Sequence, residues 1–363
     1  MCKKIFIAAT GQNCGKTTTS LSLLHLARKK YQRVGFIKPF GPKRTMYRGQ
    51  AVDVDAALMA HVYRMDDRLE LMSPVVLDSH TTREVLEGRG SPQKYLDRIF
   101  QATEELEKKC DFLIIEGAGH TGVGSVMGMN NAQLAKQLSA PVLLVSGGGV
   151  GNVIDALHLN LSLFRENGAD VRMILPNKLI KSKREATLRY LKLAFEKMPL
   201  QVVGGFNYSP ILANPTLIYL SELLKLELKA NPTQASRIVH HVQLGAASTQ
   251  RIVDLLKAST LIIVPSSRDE VLVMLATLYH LPEYQHKLAG LIINGVAPLS
   301  PVVQQVIDDA RVPYMRTEAI TAEIYTLIQD DVAKIRADDE EKIALIQKLA
   351  EKEVDFELID SLF

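Results

Sequence analysis

Residues 9–18 read Ala-Thr-Gly-Gln-Asn-Cys-Gly-Lys-Thr-Thr, directly after the apolar run Lys4-Ile-Phe-Ile-Ala. A strand that breaks into Gly-Lys-Thr and continues as a helix constrains the fold more than any other stretch of the chain. The backbone N–H groups of Gly11, Gln12, Asn13, Cys14, Gly15, Lys16, Thr17 and Thr18 can curl around a polyphosphate. Lys16 adds a positive charge, and the Thr17 hydroxyl can reach a magnesium ion. The full phosphate-loop pattern wants Gly six residues before Lys16, where Thr10 stands with Gly11 beside it. The competing reading is a glycine-containing turn ahead of an ordinary helix.

Apolar strand candidates alternate with helical patterns through the first two hundred residues. The strands are Lys4–Thr10, Arg33–Lys38, Phe112–Glu116, Pro141–Ser146, Val171–Leu175 and Leu200–Phe206. The helices are Thr17–Lys30, Val54–Val62, Pro92–Lys109, Asn131–Leu138, Val150–Glu166 and Lys183–Lys197. Continuous apolar strands predict a parallel sheet buried on both faces, hence a doubly wound α/β domain with ligands at the carboxyl ends of its strands. Two prolines in Tyr208–Pro215 mark a boundary. A smaller α/β block follows, with strands Arg237–His241, Thr260–Pro265, Leu288–Asn294 and Val312–Tyr314. Its helices are Tyr219–Leu226, Thr249–Lys257, Glu270–Leu278, Pro301–Ala310 and Thr321–Gln329. The expected domains are therefore 1–207 and 215–328, with 329–363 as a charged tail carrying a surface helix near Glu340–Glu351.

A length of 363 residues suits two domains, each able to bury a core. A formal charge of +3, with no basic stripe interleaved with aromatics, predicts no nucleic-acid partner. No apolar run reaches the length of a membrane span, and the apolar start that ends at the glycine loop reads as a strand. Three cysteines without metal-ligand spacing suggest the cytoplasm. Cys14 reads either as an oxidation-sensitive thiol or as a tolerated small residue.

Magnesium needs oxygen ligands, so the loop calls for acidic partners. Phe112-Leu-Ile-Ile-Glu116-Gly-Ala-Gly ends an apolar strand in an acid followed by glycines. Glu116 reads as a metal ligand, or as a solvated residue at a strand end. Asp53-Val-Asp55 opens a helix, so these acids read as N-caps or, for Asp55, as a second metal ligand. Lys38 closes the second strand and reads as a clamp on a phosphate or substrate anion, or as an exposed lysine. Asn177 follows a strand and reads as an adenine contact or a turn residue. Ser146-Gly-Gly-Gly-Val-Gly151 reads as a second anion nest or a flexible loop. His120 reads as a base or an incidental loop residue.

Taken in order, these pieces resemble dethiobiotin synthetase and its phosphate-loop relatives in cobyrinate amidation, over residues 1 to about 205. The loop of that family also has Thr where the general pattern has Gly. Its Lys-Pro resembles Lys38-Pro39, its acid before Ala-Leu resembles Asp55-Ala56-Ala57-Leu58, and its Glu-Gly-Ala-Gly matches Glu116–Gly119. The resemblance implies ATP and magnesium as cofactors. Thr17, Asp55 and Glu116 would surround the metal, and Asn177 would read adenine. Lys16 and Lys38 would be catalytic, neutralising phosphate charge while a carboxylate or carbamate attacks. It also implies a homodimer. Phe40-Gly41-Pro42-Lys43-Arg44 replaces the family's Ser-Gly signature, Gly149 replaces a lysine, and Gln12-Asn13 replace an acidic, threonine-bearing stretch. These departures count against diaminononanoate as substrate. With no cysteine after Cys110, the chain also lacks the nucleophile of the cobyrinate enzymes' glutaminase domain.

Pro265-Ser-Ser-Arg268-Asp-Glu270 and Leu291-Ile-Ile-Asn294-Gly295-Val296 resemble the two strand ends of a DRTGG domain in altered form. The pairing of domains resembles the amino-terminal half of long phosphotransacetylases. The expectation is an α/β chain: a parallel-sheet P-loop NTPase domain followed by a smaller, DRTGG-like α/β domain. Two functions follow from it, an ATP-dependent ligase-like enzyme or ATPase acting on a small molecule, and a non-catalytic nucleotide- and metabolite-sensing module.

Overall fold

The computed structural model describes residues 2–331 and 333–363. The chain divides into two units: Met1–Tyr208 with Ile335–Phe363, and Ser209–Lys334.

The first unit is built on six parallel strands. They are β1 (Lys3–Ala9), β2 (Val34–Ile37), β7 (Phe112–Glu116), β8 (Val142–Gly147), β9 (Val171–Asn177) and β10 (Gln201–Val202), in the order β10-β9-β8-β1-β7-β2. Side chains alternate across the strands. Phe6, Leu113, Leu144 and Ile174 meet Ile99, Leu134, Leu157 and Leu191 of helices Pro92–Lys109, Asn131–Gln137, Val150–Glu166 and Arg184–Ala194. Helix α1 (Lys16–Lys30) packs on β1, β2 and β7. Because β1 lies between β7 and β8, the chain turns opposite ways after successive strands. The crevice at the carboxyl end of β1 is the switch point where such sheets hold ligands.

Several local features differ from the sequence reading. Leu200–Phe206 shrinks to β10, because Gly204 turns the chain at φ +120. Between β2 and β7 lie β3 (Phe40–Gly41) paired with β6 (Val75–Val76), and a hairpin of β4 (Arg44–Tyr47) and β5 (Gln50–Asp53). The hairpin turns through Arg48-Gly49, both at positive φ, the geometry of a two-residue primed turn. Arg-Gly is a weak signal for that turn, and β4 lacks apolar alternation.

The C-terminal stretch, expected as a charged tail with a surface helix, groups with the first unit from Ile335 onward. Helix Glu340–Glu353 packs on α1 and buries Ile343, Ile346 and Ala350, spaced i, i+3, i+7 beneath a charged surface. Val354 bridges Gly204, and Phe356 and Phe363 lie against Phe112.

Among the described residues, the second unit has five strands: β11 (Leu228–Lys229), β12 (His241–Leu244), β13 (Thr260–Pro265), β14 (Leu288–Asn294) and β15 (Tyr314–Thr317), in the order β11-β15-β14-β13-β12. Of these, β11 alone runs antiparallel. Helices Asp269–Tyr279 and Pro301–Ala310 cover one face, and Leu217–Leu224 and Thr321–Asp330 the other. β12 starts where the expected Arg237–His241 ends, since Val239 bonds back to Pro215 rather than into the ladder. β15 starts after Pro313, which has no N–H to donate. Among the described residues, no helix is long and apolar enough to cross a membrane.

Candidate active site

The loop after β1 is braced by the ends of two strands, β8 and β9. The Thr10 amide bonds to Val145 O at 3.0 Å, and the Thr10 hydroxyl donates to Ser146 Oγ at 3.0 Å. Thr10 thus ties the loop's start to the end of β8, which gives a physical role to the departure from Gly. Asn13 and Gly15 take positive φ, and α1 begins at Lys16 with no side-chain cap and no acid in its first turn. Its orphan N–H groups and positive dipole end face the loop, as an anion site requires.

The second brace is Asn177 at the end of β9. Its Nδ2 donates to Cys14 O at 2.8 Å, and its Oδ1 accepts from the Lys178 amide at 2.8 Å. A Cβ on Gly15 would lie 1.9 Å from Asn177 Nδ2, at a φ of +103 that L residues rarely adopt. Gly15→Ala is expected to displace Asn177, distort the loop and weaken the retention of a phosphate-bearing ligand at least tenfold. A nucleotide titration matching wild type would show that this brace is dispensable.

Deeper in the crevice, charges converge from four elements. Lys38, just past β2, places Nζ 2.8 Å from Asp55 Oδ2 and 2.6 Å from Glu116 Oε1. Asp55 lies in the first turn of helix α2 (Val54–Tyr63), capped by the Asp53 carboxylate, which accepts from the Asp55 amide at 2.9 Å. Of the two acids, Asp53 is the N-cap, and the Asp55 carboxylate is turned to Lys38 and Thr17. The Thr17 hydroxyl lies 3.1 Å from Asp55 Oδ1 and 3.5 Å from Glu116 Oε1, and Ser20 Oγ donates to Glu116 Oε2 at 2.6 Å. Lys16 Nζ donates to Gly119 O at 2.5 Å.

All five ionisable groups are buried: Lys16, Lys38, Asp53, Asp55 and Glu116. Burial, then the charge of Lys38, lowers the Lys16 ammonium to about 8. Burial alone would lower Lys38 too, but Asp55, Glu116 and Asp53 outweigh it and hold its proton more tightly than usual. Burial and the Asp55 charge raise the Asp53 carboxyl to about 6.

Thr17, Asp55 and Glu116 therefore come together around one cationic position. Among the described residues no set of three or more His, Cys, Asp or Glu is arranged for a metal. A loop-bound magnesium asks less, namely two acids and a hydroxyl, with phosphate and water completing the octahedron. The donor set present fits that requirement.

Lys38 is not the exposed lysine of the alternative reading. His120 is exposed, and its Nδ1 accepts from the Gly122 amide. In Ser146–Gly151, a Cβ on Gly149 or Gly151 would touch nothing within 4 Å, so neither glycine is imposed by a close neighbour. Sequence reasoning missed Ser20, whose signal was its spacing: three residues after Thr17, it shares that face of α1.

Residues 3–216 match the AAA_26 model, an AAA domain, and residues 222–330 match the DRTGG domain model. Phosphate acetyltransferase of Pseudomonas aeruginosa is 24% identical over 379 residues, covering 97% of this chain and 51% of that protein. That of Deinococcus radiodurans is 26% identical over 312 residues, covering 83% of this chain and 42% of that protein. The chain spans about half the length of these curated relatives. The ATP-dependent dethiobiotin synthetase BioD of Methanocaldococcus jannaschii is 30% identical over 179 residues, covering 48% of this chain and 78% of that protein. Among solved structures, apo McdA of Cyanothece aligns with a TM-score of 0.38 at 15% identity, covering 58% of this chain and 87% of that one. The chain belongs to the AAA_26 family, joining a BioD-like P-loop domain to a DRTGG domain.

Proposed function

We propose that the first unit binds Mg–ATP and transfers its γ-phosphoryl group to a small carboxylate or carbamate, as a ligase-like enzyme. The observation that carries this reading is the convergence of Thr17, Asp55, Glu116 and Lys38 beside an uncapped helix start holding Lys16. The loop amides and Lys16 hold the triphosphate, and Thr17, Asp55 and Glu116 hold the metal. When bound, magnesium would offset the negative charge that develops during phosphoryl transfer. Lys16 and Lys38 neutralise the transferring group while an acceptor oxygen attacks phosphorus in line and ADP leaves. Such chemistry is mostly positioning and electrostatic stabilisation. Asn177 keeps the loop shaped and borders the adenine. On this reading the protein is a cytoplasmic homodimer acting on a small molecule, without nucleic acid or membrane.

Equilibrium dialysis with magnesium and labelled ATP, followed by an ADP-release screen over small carboxylates and amines, tests the proposal. Retention of ATP with acceptor-stimulated turnover is expected. No retention by folded protein removes the reading.

A second reading has its own support. The likeness to phosphate acetyltransferases extends through the DRTGG domain, over 97% of this chain for one of them. Under it, nucleotide and metabolite occupancy shifts an assembly equilibrium without turnover. ATP retention without acceptor stimulation, together with ligand-dependent oligomeric mass, selects it.

A further inference from the structure

Lys38 enters the proposed function as a phosphate neutraliser, yet its ammonium is held elsewhere. Nζ sits 2.8 Å from Asp55 Oδ2 and 2.6 Å from Glu116 Oε1, and it is 3.5 Å from Gly117 O. The Thr17 hydroxyl reaches the other Asp55 oxygen and the same Glu116 oxygen, at 3.1 and 3.5 Å. The ammonium therefore lies among the oxygens that a magnesium ion would take.

Magnesium binds oxygen at about 2.0–2.1 Å and keeps a strict octahedron. A metal on Glu116 Oε1 would lie within a few ångströms of Nζ, two cations in a buried pocket. Like charges that close, with little water between them, exclude one another. The lysine stem is long and flexible enough to move its head group.

We propose that Lys38 is the resident counter-ion of the metal position, and that its ammonium and a divalent cation exchange there. The inference rests on the Mg–ATP reading of this site and adds its order of assembly. Metal alone meets acids whose oxygens are already engaged by the Lys38 ammonium. Nucleotide alone offers Lys38 an anion but leaves Asp55 and Glu116 uncompensated. Only the metal–nucleotide complex supplies a cation for the acids and a phosphate for the displaced lysine. Metal and nucleotide therefore bind with strong positive coupling, and an ATP analogue lacking a third phosphate gives less of it. Lys38 thereby reports that both have arrived before the phosphoryl group can move.

The test is manganese binding to the full chain, read by electron paramagnetic resonance and calorimetry, for wild type and Lys38→Met. Without nucleotide, wild type is expected to bind Mn²⁺ only weakly, and Lys38→Met at least tenfold more tightly. Adding a non-hydrolysable ATP analogue is expected to tighten Mn²⁺ binding by tenfold or more in wild type, and by far less in the variant. Equal nucleotide-free Mn²⁺ affinity in the two proteins overturns the proposal. Should Lys38→Met fail to fold, wild type decides alone: tight Mn²⁺ binding without nucleotide, or no coupling to a nucleotide that does bind, overturns it. If wild type binds no ATP analogue at all, the Mg–ATP reading fails, and the nucleotide-free comparison still reports on the exchange.

Discussion

Replacing Lys16 with Met lowers ATP affinity by about two orders of magnitude and stabilises the unliganded protein. The loss follows from removing a charged donor to phosphate, where truncating one partner of a buried charge pair costs about 2–5 kcal/mol. The gain follows from burial. Lys16 is 8% exposed and lies near a second buried lysine, so its ammonium is held at about 8 rather than at the ordinary value of 10.5. The folded-state value lies below the unfolded one. The penalty of keeping the proton is therefore fully present below pH 8 and disappears as pH rises from 8 to 10.5. If realised in full, the shift corresponds to about 3 kcal/mol at most, or several degrees in Tm. The variant's Tm advantage should be largest at neutral pH and shrink toward pH 10.5. Wild-type ATP affinity should fall above pH 8, with proton uptake on binding, and the variant's should not. Calorimetry in buffers of different ionisation enthalpy and thermal scans across pH measure both effects. An unchanged ATP titration for Lys16→Met would mean that the loop holds no phosphate.

Glu116→Ala should have the largest effect on the fold itself. The carboxylate accepts from Ser20 at 2.6 Å and from Lys38 at 2.6 Å, with Thr17 at 3.5 Å, and none of it is exposed. Its removal takes the acceptor from the buried Ser20 hydroxyl and one of two carboxylates from the buried Lys38 ammonium, leaving Asp55 at 2.8 Å. Breaking one side of a buried ion pair costs about 3–5 kcal/mol. For a unit of this size that is roughly 6–20 °C in Tm. Glu116→Gln keeps the volume and the bond from Ser20, so it should recover part of the stability and none of the metal-dependent ATP binding. Scanning calorimetry with and without Mg–ATP separates the two effects. A Tm within two or three degrees of wild type for Glu116→Ala would mean that Asp55 alone satisfies the Lys38 ammonium.

The parallel sheet was legible because its strands are apolar on both faces, and Phe112–Ile115 tolerates no other reading. The residues that gather in the crevice were legible because each sits at the carboxyl end of a strand or the start of a helix: Lys38, Asp55, Glu116, Thr17 and Asn177. Their partners were not. Lys38 and Glu116 are far apart in sequence, and nothing local says that a lysine at a strand end turns inward to an acid rather than outward to water. Thr10 matched the family resemblance, but its hydroxyl partner Ser146 was not legible in the sequence. The Arg48-Gly49 hairpin lacks the usual Asn-Gly or Asp-Gly signature, and Pro313 delayed a strand that apolar composition placed too early. In the C-terminal segment, charge density concealed a narrow apolar stripe, because three small or aliphatic positions on a helix barely register against the many charges around them.

The chain leaves the larger unit at Tyr208 and rejoins it at Ile335, so one unit is continuous in sequence and the other is not. During synthesis the continuous unit emerges whole while its host still lacks the helix that covers α1 and the backbone that pairs with Gly204. The face of α1 that meets helix Glu340–Glu353 then waits for residues beyond Ile335, and a nascent chain released early would leave it uncovered. A polypeptide cut near residue 216, where the first family match ends, would stay in that unfinished condition for good.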